Sequence, residues 1–343
     1  MKLFRLDTTA SKIRLIGIVI ILIFLFSLPS WGSKYAIMMV TLMGMYITLG
    51  QMWNLLSGYS GLVSLGQQIY IGIGAFTLAI ASNEFGLPLF VGLILGGIVS
   101  TIISIGLSYL LLRMRGMYFA IATWMFAEAT VLVLINLQTF GKGQGLFIIA
   151  ARRLNQQDIY YYSIILLIIA VVAVVIVMRS KLGLGLFAVR DNDVSASTSG
   201  VPIFRSKLFC MMISSFITGM CGGVYYIMQV WIQPYAAFSI NWTVAAVFIV
   251  VIGGIGTIAG PVIGGIIYVF LSQYLATLSQ IGSLNMVILG VIAVAVILAA
   301  PKGIIGTLQS RFNFEIISTR RWSNQYLDKQ VLDSMQMDGF TGR

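Results

Sequence analysis

Residues 208–231 read LFCMMISSFITGMCGGVYYIMQVW and open the longest uncharged stretch of the chain, 94 residues between Lys207 and Lys302. A helix needs about 20 apolar residues to cross a bilayer hydrocarbon core of about 30 Å. The stretch therefore has room for four crossings joined by tight turns. A second uncharged stretch, 49 residues between Lys34 and Glu84, continues the same pattern in the N-terminal half.

The composition of the whole chain agrees with that pattern. Of 343 residues, 59% are hydrophobic and only 9% are charged, and the mean hydropathy is +0.98. A soluble domain carries about 25% charged residues, so this chain lacks the charge needed to cover a water-facing surface. Soluble, fibrous and disordered classes are excluded, and the sequence predicts an all-α integral membrane protein.

Ten apolar segments can be drawn, which predicts about ten transmembrane or re-entrant helices. They are 15–30, 35–57, 62–82, 87–112, 117–137, 159–178, 208–231, 239–257, 260–281 and 284–300. The first segment follows four basic residues and has no small-residue cleavage site after it, so we expect an uncleaved helix. Segment 62–82 contains Gly66, Gly72 and Gly74, which leaves open a broken or re-entrant element in place of a full span.

The Lys and Arg residues orient these segments. With the N-terminus in the cytoplasm, 17 of the 21 basic side chains fall on the cytoplasmic side, as the positive-inside rule requires. The sequence therefore predicts two cytoplasmic termini, a membrane domain over residues 1–308 with a cytoplasmic loop at about 179–207, and a cytoplasmic tail over 309–343. The net charge of +11 indicates contact with anionic membrane lipid, and we expect no nucleic-acid partner.

The residue composition of the chain excludes several kinds of chemistry. It has no histidine, which removes imidazole catalysis and histidine-ligated metals. Cys210 and Cys221 lie eleven positions apart in one apolar segment, and a single helix cannot bring them close enough for a disulfide. No G-x-x-x-x-G-K-[ST] phosphate loop occurs in the sequence. We expect no catalytic residue, no metal site and no cofactor in this chain.

Glycine is concentrated in two clusters, residues 58–74 and 253–265. They fall within segments 2–5 and segments 7–10, two groups of four that begin on opposite sides of the membrane in the predicted topology. Glycine-interrupted segments paired between inverted halves are typical of a transport pathway. This pattern raises the hypothesis of an inverted repeat of segments 2–5 and 7–10.

Polar side chains inside the apolar segments are the candidates for a substrate path: Gln51, Asn54, Ser64, Gln67, Gln68 and Glu128. The uncharged members are expected to face the protein interior, where hydrogen bonding between helices is the alternative role. Glu128 is the only acid well inside an apolar segment, and a carboxylate there costs about 2.5–3.5 kcal/mol on insertion scales. We expect it either to bond to a neighbouring helix or to line the solute path.

Six motifs then follow one another between residues 45 and 305. They are Gly58-Tyr-Ser-Gly-Leu-Val-Ser-Leu-Gly66 continued by Gln67 to Phe76, Arg113-Met-Arg-Gly-Met-Tyr-Phe-Ala-Ile121, Phe140-Gly-Lys-Gly-Gln-Gly-Leu146, Ala188-Val-Arg-Asp-Asn-Asp193 with Gly200-Val201, Gly253-Gly-Ile-Gly-Thr-Ile-Ala-Gly-Pro261, and Ala300-Pro-Lys-Gly-Ile304. Together they resemble the permeases of branched-chain amino-acid ABC importers of the LivM type. Gln67 departs from the family, which often has histidine there.

The resemblance implies a type II-like permease subunit in the cell membrane of a prokaryote. Such a subunit pairs with a similar, non-identical permease, two cytoplasmic ATPase subunits that hold ATP, and an extracytoplasmic solute-binding protein. Leucine, isoleucine and valine are the expected solutes, and urea, short amides and aromatic acids are the alternatives carried by relatives. A secondary transporter is the alternative class, and Glu128 is its one candidate for ion coupling. A membrane-embedded enzyme is not expected, because the apolar segments contain one acid, no histidine and no cluster of cysteines.

The loop 179–207 is the candidate for coupling to the ATPase, on the residues Arg190, Asp191, Asp193, Val194, Gly200 and Val201. A short helix is predicted over residues 192–200, with Asp191 or Asp193 as its N-cap and Gly200 at its end. The resemblance implies that this helix docks on an ATPase subunit, with Arg190 and Asp191 in polar contacts and the two valines as an apolar face. An ordinary solvated loop is the alternative.

Overall fold

A computed structural model describes residues 9–137, 143–278 and 303–312, together with parts of 287–298. The predicted tenth segment, 284–300, falls mostly outside the described residues. The predicted tail, 309–343, lies outside them after residue 312. The external glycine-rich turn at 140–146 is described from residue 143 onward.

The described chain is helical almost throughout. Its helices are α1 Thr9–Trp31, α2 Lys34–Asn54, α3 Gln67–Asn83, α4 Leu89–Leu111, α5 Met117–Asn136, α6 Gln156–Arg179, α7 Lys181–Asp191, α8 Asp193–Thr198, α9 Ile203–Gln229, α10 Pro234–Ala237, α11 Asn241–Gly253, α12 Gly260–Leu278 and α13 Gly303–Phe312. A π-helical turn, Leu55–Tyr59, continues α2, and a 3-10 turn, Ile149–Arg153, precedes α6. Two short strands, β1 Leu146–Phe147 and β2 Trp231–Ile232, complete the elements.

Seven helical stretches among the described residues are long and apolar enough to cross a membrane. They are Lys34–Tyr59, Leu89–Leu111, Met117–Asn136, Gln156–Arg179, Ile203–Gln229, Pro234–Gly253 and Gly260–Thr277. The prediction of an all-α, multi-pass membrane protein is confirmed. The count of ten and the inverted repeat stay predictions.

Helices α3, α4 and α9 pack against one another, so α3 contacts both α4 and α9. It has 17 residues, about 26 Å at 1.5 Å per residue, which is shorter than the bilayer core. Segment 62–82 is not one continuous helix, because residues 61–66 form a non-helical connection and the helix begins at Gln67. Glycine permits the close packing, because a Cβ atom at Gly74 would collide with the carbonyl oxygen of Gly219 on α9.

The N-terminal half of the core is built around α2, which contacts α6, α9, α11 and α12. Its second half is buried without interruption from Ile47 through Tyr59. A helix that is apolar and buried on all sides in this way needs internal partners for its few polar groups. Cys210 and Cys221 are both buried, and neither forms a disulfide.

One end of the bundle, which we call the loop face, brings together the internal turns that the sequence places in the cytoplasm. Here α7 and α8 contact the turn after α2, the link before α5 and the turn after α11. Helix α13 begins at the same face, where Gly303 packs against Gly254. The grouping of these turns at one face agrees with the order in which the apolar segments are predicted to cross the membrane.

The opposite face holds the turns that the sequence places outside. β1 and β2 pair in an antiparallel ribbon with Phe147 opposite Trp231. Asn83, at the end of α3, donates from its amide to the carbonyl oxygen of Phe147 at 2.6 Å and accepts from the Ile149 N–H at 3.1 Å. Which face is cytoplasmic stays a prediction.

Candidate functional site

The loop 179–207 is mostly helical and forms much of the loop face. The predicted short helix is confirmed as α8, and it follows a longer helix, α7, that the sequence did not predict. Ser180 caps α7 by accepting from the Leu182 N–H at 3.1 Å. The α7 face that carries Leu186 and Val189 is buried, so the loop packs onto the bundle.

The predicted N-cap of α8 is wrong, because Asn192 takes that position. Asn192 is extended (φ −160°), and its side-chain oxygen accepts from the N–H groups of Val194 and Ser195 at 2.9 and 3.2 Å. Asp193 is instead the first helical residue, and both of its carboxylate oxygens accept from Lys207 Nζ, at 2.9 and 3.0 Å. An asparagine caps a helix as well as an aspartate, which leaves the acid free for the lysine.

The predicted end of α8 is confirmed. Gly200 has φ +79°, and its N–H donates to Ser197 O at 3.0 Å while the Val201 N–H donates to Ala196 O at 3.1 Å. These two bonds form a Schellman motif, in which glycine takes the left-handed position without steric cost.

The six coupling candidates divide into an outward and an inward group. Asp191 and Gly200 are exposed, and Val194 is 62% exposed although it is apolar. Arg190 and Asp193 bond inward, to the turn after α2 and to α9. Val201 is half-buried beside Gly185 of α7. The docking role of all six residues stays a prediction.

Gln51 and Asn54 share one face of α2, as their spacing predicts, and both bond to the turn after α11. The Asn54 side chain donates to Thr257 O at 2.9 Å and accepts from the Gly256 N–H at 2.8 Å. Gln51 Nε2 donates to Ile258 O at 2.6 Å. Both side chains are fully buried, so they join α2 to a backbone segment that has no helical partners of its own.

Gln67 and Gln68, in the first turn of α3, are also fully buried. Gln67 Nε2 donates to Ser214 Oγ on α9 at 3.3 Å, and Gln67 Oε1 accepts from Thr218 Oγ1 at 3.4 Å. Gln68 Oε1 accepts from Thr243 Oγ1 of α11. These bonds fix the start of a helix whose N-terminal N–H groups lie inside the bundle.

Ser64 belongs to the connection between the π-helical turn and α3. Its carbonyl oxygen accepts from Trp53 Nε1 at 2.8 Å, and its hydroxyl oxygen accepts from the Gly66 N–H at 3.2 Å. The neighbouring Leu65 N–H donates to Thr123 Oγ1 of α5 at 2.9 Å. Side chains of α2 and α5 thus satisfy backbone that is neither helix nor strand, a condition for such backbone inside a membrane protein.

The five uncharged path candidates therefore act as internal bonds between elements. Two of their atoms, Gln51 Oε1 and Gln68 Nε2, are buried without a hydrogen-bond partner in the part of the chain that the structure describes. A role for any of the five in contact with a solute stays a prediction.

Glu128 lies on the outer side of α5 and is exposed. Its carboxylate accepts from Trp124 Nε1 of the same helix at 3.1 Å, and no bond from Glu128 to a neighbouring helix is found among the described residues. Helix α5 is the least buried of the seven candidate spans. A carboxylate that faced lipid at this depth would be costly, so the outer side of α5 needs a further protein surface or water.

Two cavities bear on these sites. The larger, about 270 Å³, opens at the loop face and is lined by residues 60–63, the link 114–116 with Phe119 of α5, residues 189–194 and Lys207. The smaller, about 10 Å³, lies among aromatic and sulfur-containing side chains of α2, α3, α9 and α11. In the described residues no group of three or more cysteines and acids has the geometry of a metal site.

Sequence reasoning missed two partners of its own candidates. Trp124 stands four residues before Glu128, and that helical spacing was available as a signal. Lys207 of α9 pairs with Asp193 of α8, 14 positions away in the sequence, and no local sequence pattern predicts such a pair.

Comparison with known families gives one match that covers most of the chain. The family model described as "Branched-chain amino acid transport system / permease component" matches residues 35–297. No solved structure matches the chain.

Individual relatives point in the same direction. The chain is 25% identical over 329 residues to proteins from Salmonella typhimurium and Escherichia coli, each named high-affinity branched-chain amino acid transport system permease protein LivM. Each alignment covers 87% of this chain and 76% of the relative. It is also 34% identical over 134 residues to a probable branched-chain amino acid transport permease protein LivH from Methanocaldococcus jannaschii, with 37% of this chain and 42% of that protein covered.

Proposed function

Since this chain belongs to the family of branched-chain amino acid transport system permease components, we propose that it is one transmembrane subunit of an ATP-driven importer. In this proposal it forms half of the translocation path for leucine, isoleucine or valine, which a solute-binding protein delivers. The observation that carries the proposal is the family match over residues 35–297, in agreement with the printed names of the two LivM relatives.

The proposed partners are a second, non-identical permease, two ATPase subunits that hold ATP, and an extracytoplasmic solute-binding protein. The complex would lie in the cell membrane of a prokaryote, with both termini of this chain in the cytoplasm. The absence of a phosphate-loop motif from the sequence supports the assignment of ATP hydrolysis to a separate subunit. The partial likeness to a LivH-named permease supports a related second permease.

Helix α8 is the proposed docking element for the ATPase. It projects at the loop face with Val194 exposed, while the adjacent Asp191 is exposed at the end of α7. An exposed apolar side chain next to a charge suits a small interface with an apolar centre and a polar rim. The salt bridge between Asp193 and Lys207, 2.9 Å long, ties α8 to α9, so a force on α8 would reach a helix that crosses the whole bundle.

The outer side of α5 is the proposed lining of the path. Glu128 is exposed there and accepts a hydrogen bond from Trp124 of the same helix. A path formed between two permease subunits would give this carboxylate water and polar neighbours in place of lipid. The five buried polar residues on α2, α3 and their connection are bonded internally, which supports a structural role for them behind the path.

The test is uptake by a reconstituted complex of this chain with its second permease, ATPase and binding protein in proteoliposomes. We expect uptake of leucine that requires both ATP inside the vesicles and the binding protein outside. A panel of valine, isoleucine, urea, acetamide and phenylalanine, competed against leucine, identifies the solute class. Preference for urea or an amide would replace the substrate assignment. Uptake driven by an ion gradient without the ATPase would overturn the importer class in favour of a secondary transporter.

A further inference from the structure

Arg190 is the last basic residue of α7, but its side chain bonds to the membrane bundle. Arg190 Nη1 donates to the carbonyl oxygen of Gly58 at 2.5 Å. Gly58 lies in the π-helical turn that follows α2, at a helix end, where carbonyl groups lack the regular helical partner. A charged donor makes one of the stronger hydrogen bonds available to such a carbonyl.

A second contact joins α7 to the same turn. Phe187 lies three residues before Arg190, on the same side of α7, and its ring meets the Tyr59 ring edge-on at 5.9 Å between centroids. Tyr59 is fully buried. The end of α7 therefore holds the turn by one polar and one aromatic contact, and neither depends on the exposed side of α8.

The Arg190 guanidinium also lies against the other helix break. A Cβ atom built at Gly256 would lie 2.9 Å from Arg190 Nη1, so glycine leaves the space that the guanidinium fills. Gly256 belongs to the non-helical turn between α11 and α12, the turn that Asn54 holds through its two hydrogen bonds.

These contacts define a helix-break junction, made of residues 55–61 and 254–259. Gln51 and Asn54, in the last turn of α2 beside the first break, bond to the second break, and Arg190 contacts both breaks from the loop. The junction contains the places where α2 and α11 stop being regular helices, and residues at the ends of elements are the ones that commonly absorb backbone changes at a hinge.

We infer that Arg190 is a positioning residue that carries movement of the loop 179–207 to the helix-break junction. The inference rests on the proposed function, because it needs an ATPase that moves this loop. It assigns Arg190 a different part from Asp191 and Val194: those two exposed side chains dock, whereas Arg190, which is also exposed, donates to Gly58 O of the junction and transmits. The sequence had placed Arg190 among the docking contacts.

The experiment uses the complete reconstituted complex and separates docking from transmission. Three quantities are measured for each variant: the amount of ATPase subunit that copurifies, the basal ATPase rate, and the ATPase rate with loaded binding protein. For Arg190→Ala we expect normal copurification and a normal basal rate. We expect stimulation by loaded binding protein to fall by about tenfold or more, the size that loss of one charge-assisted hydrogen bond gives.

Two variants accompany it. Arg205→Ala removes the same charge from another exposed position of the same loop and leaves the bond between Arg190 and Gly58 O in place, and we expect it to keep full stimulation. Arg190→Lys keeps the charge and a donor but loses the planar fork of the guanidinium, so its stimulation should lie between those of the wild type and Arg190→Ala. If the Arg190→Ala chain does not fold and insert into the membrane, Arg190→Lys decides: reduced stimulation in an assembled complex supports the inference, and wild-type stimulation overturns it.

Two results for Arg190→Ala would overturn the inference while leaving the proposed function in place. Wild-type stimulation would show that Arg190 transmits nothing. Loss of the ATPase subunit from the purified complex would show that Arg190 is itself a docking contact. A wild-type complex that binds no ATPase subunit would remove the proposed function, and the inference with it.

Discussion

Asn54 on α2 and Glu128 on α5 are both polar residues in long apolar helices, and the structure surrounds them in opposite ways. Asn54 is fully buried and bonds to two backbone groups of the turn after α11. Glu128 is exposed and accepts one hydrogen bond, from Trp124 of its own helix. The uncharged amide is used to hold the fold together, whereas the charged group is left on the surface of the bundle.

The same division occurs in the loop. Asp193 faces inward and binds Lys207, whereas Asp191, two residues earlier, is exposed. Inward polar groups contribute to stability, because breaking their bonds leaves buried partners unsatisfied. Outward groups contribute little to the stability of this chain and remain available to other subunits or to a solute. The predictions below test that distinction.

The largest effect on stability is expected for Asn54→Leu. It removes a hydrogen-bond donor and an acceptor and leaves Thr257 O and the Gly256 N–H unsatisfied inside the bundle, a cost of about 2–5 kcal/mol. The purified protein should unfold at a clearly lower temperature in detergent. Asn136→Leu is the matched control, because Asn136 is exposed and its amide donates, within the described residues, to Leu132 O of its own helix. Equal melting temperatures for the two variants would contradict the structural role of Asn54.

The next effect concerns docking and should leave stability unchanged. Asp191→Lys combined with Val194→Asp reverses one exposed charge and places another on the proposed apolar contact, which costs about 2–5 kcal/mol of binding. We expect normal membrane insertion, loss of the copurified ATPase subunit and loss of uptake. Glu84→Lys makes a similar charge reversal at the opposite face and should retain the ATPase. A double variant with normal uptake would remove α8 as the docking element.

A smaller effect is expected at Glu128. Glu128→Gln keeps an oxygen that accepts from Trp124 Nε1, whereas Glu128→Leu removes it, and the difference in stability should be about 1 kcal/mol. We expect the glutamine variant to assemble with its partners better than the leucine variant. Uptake by the assembled glutamine variant then decides between two roles: retained uptake indicates a structural hydrogen bond, and lost uptake indicates that the carboxylate charge acts in the path.

The last prediction concerns orientation, and it tests which face of the bundle is cytoplasmic without changing the stability of the protein. In a background without Cys210 and Cys221, cysteines are placed at Gln144 on the opposite face, at Ser197 on α8, and at Gln325 in the tail. A membrane-impermeant thiol reagent added outside intact cells should label position 144 and leave 197 and 325 unlabelled. Labelling at 197 from outside would reverse the predicted orientation of the whole chain.

The sequence by itself determined the class of the protein and the grouping of its turns. Apolar segments longer than a bilayer crossing and the distribution of Lys and Arg are local properties, and a membrane acts on each segment separately. For the same reason the short helix that ends at Gly200 was predictable from a few adjacent residues. The capping residue was not, because Asn192 and the two aspartates beside it have similar capping strength, and only the distant Lys207 separates them.

Only the tertiary structure decided which groups each of these polar residues contacts. Asn54 meets Gly256 across 202 positions of sequence, and Arg190 meets Gly58 across 132. Such pairs depend on how whole helices pack, and no spacing along the chain encodes them. From the sequence we could infer that buried polar groups need hydrogen-bond partners, since a polar group without one is costly in an apolar interior. Only packing could show that Gln51 and Asn54 find theirs in a neighbouring helix break, and that Glu128 remains exposed on the surface of the chain.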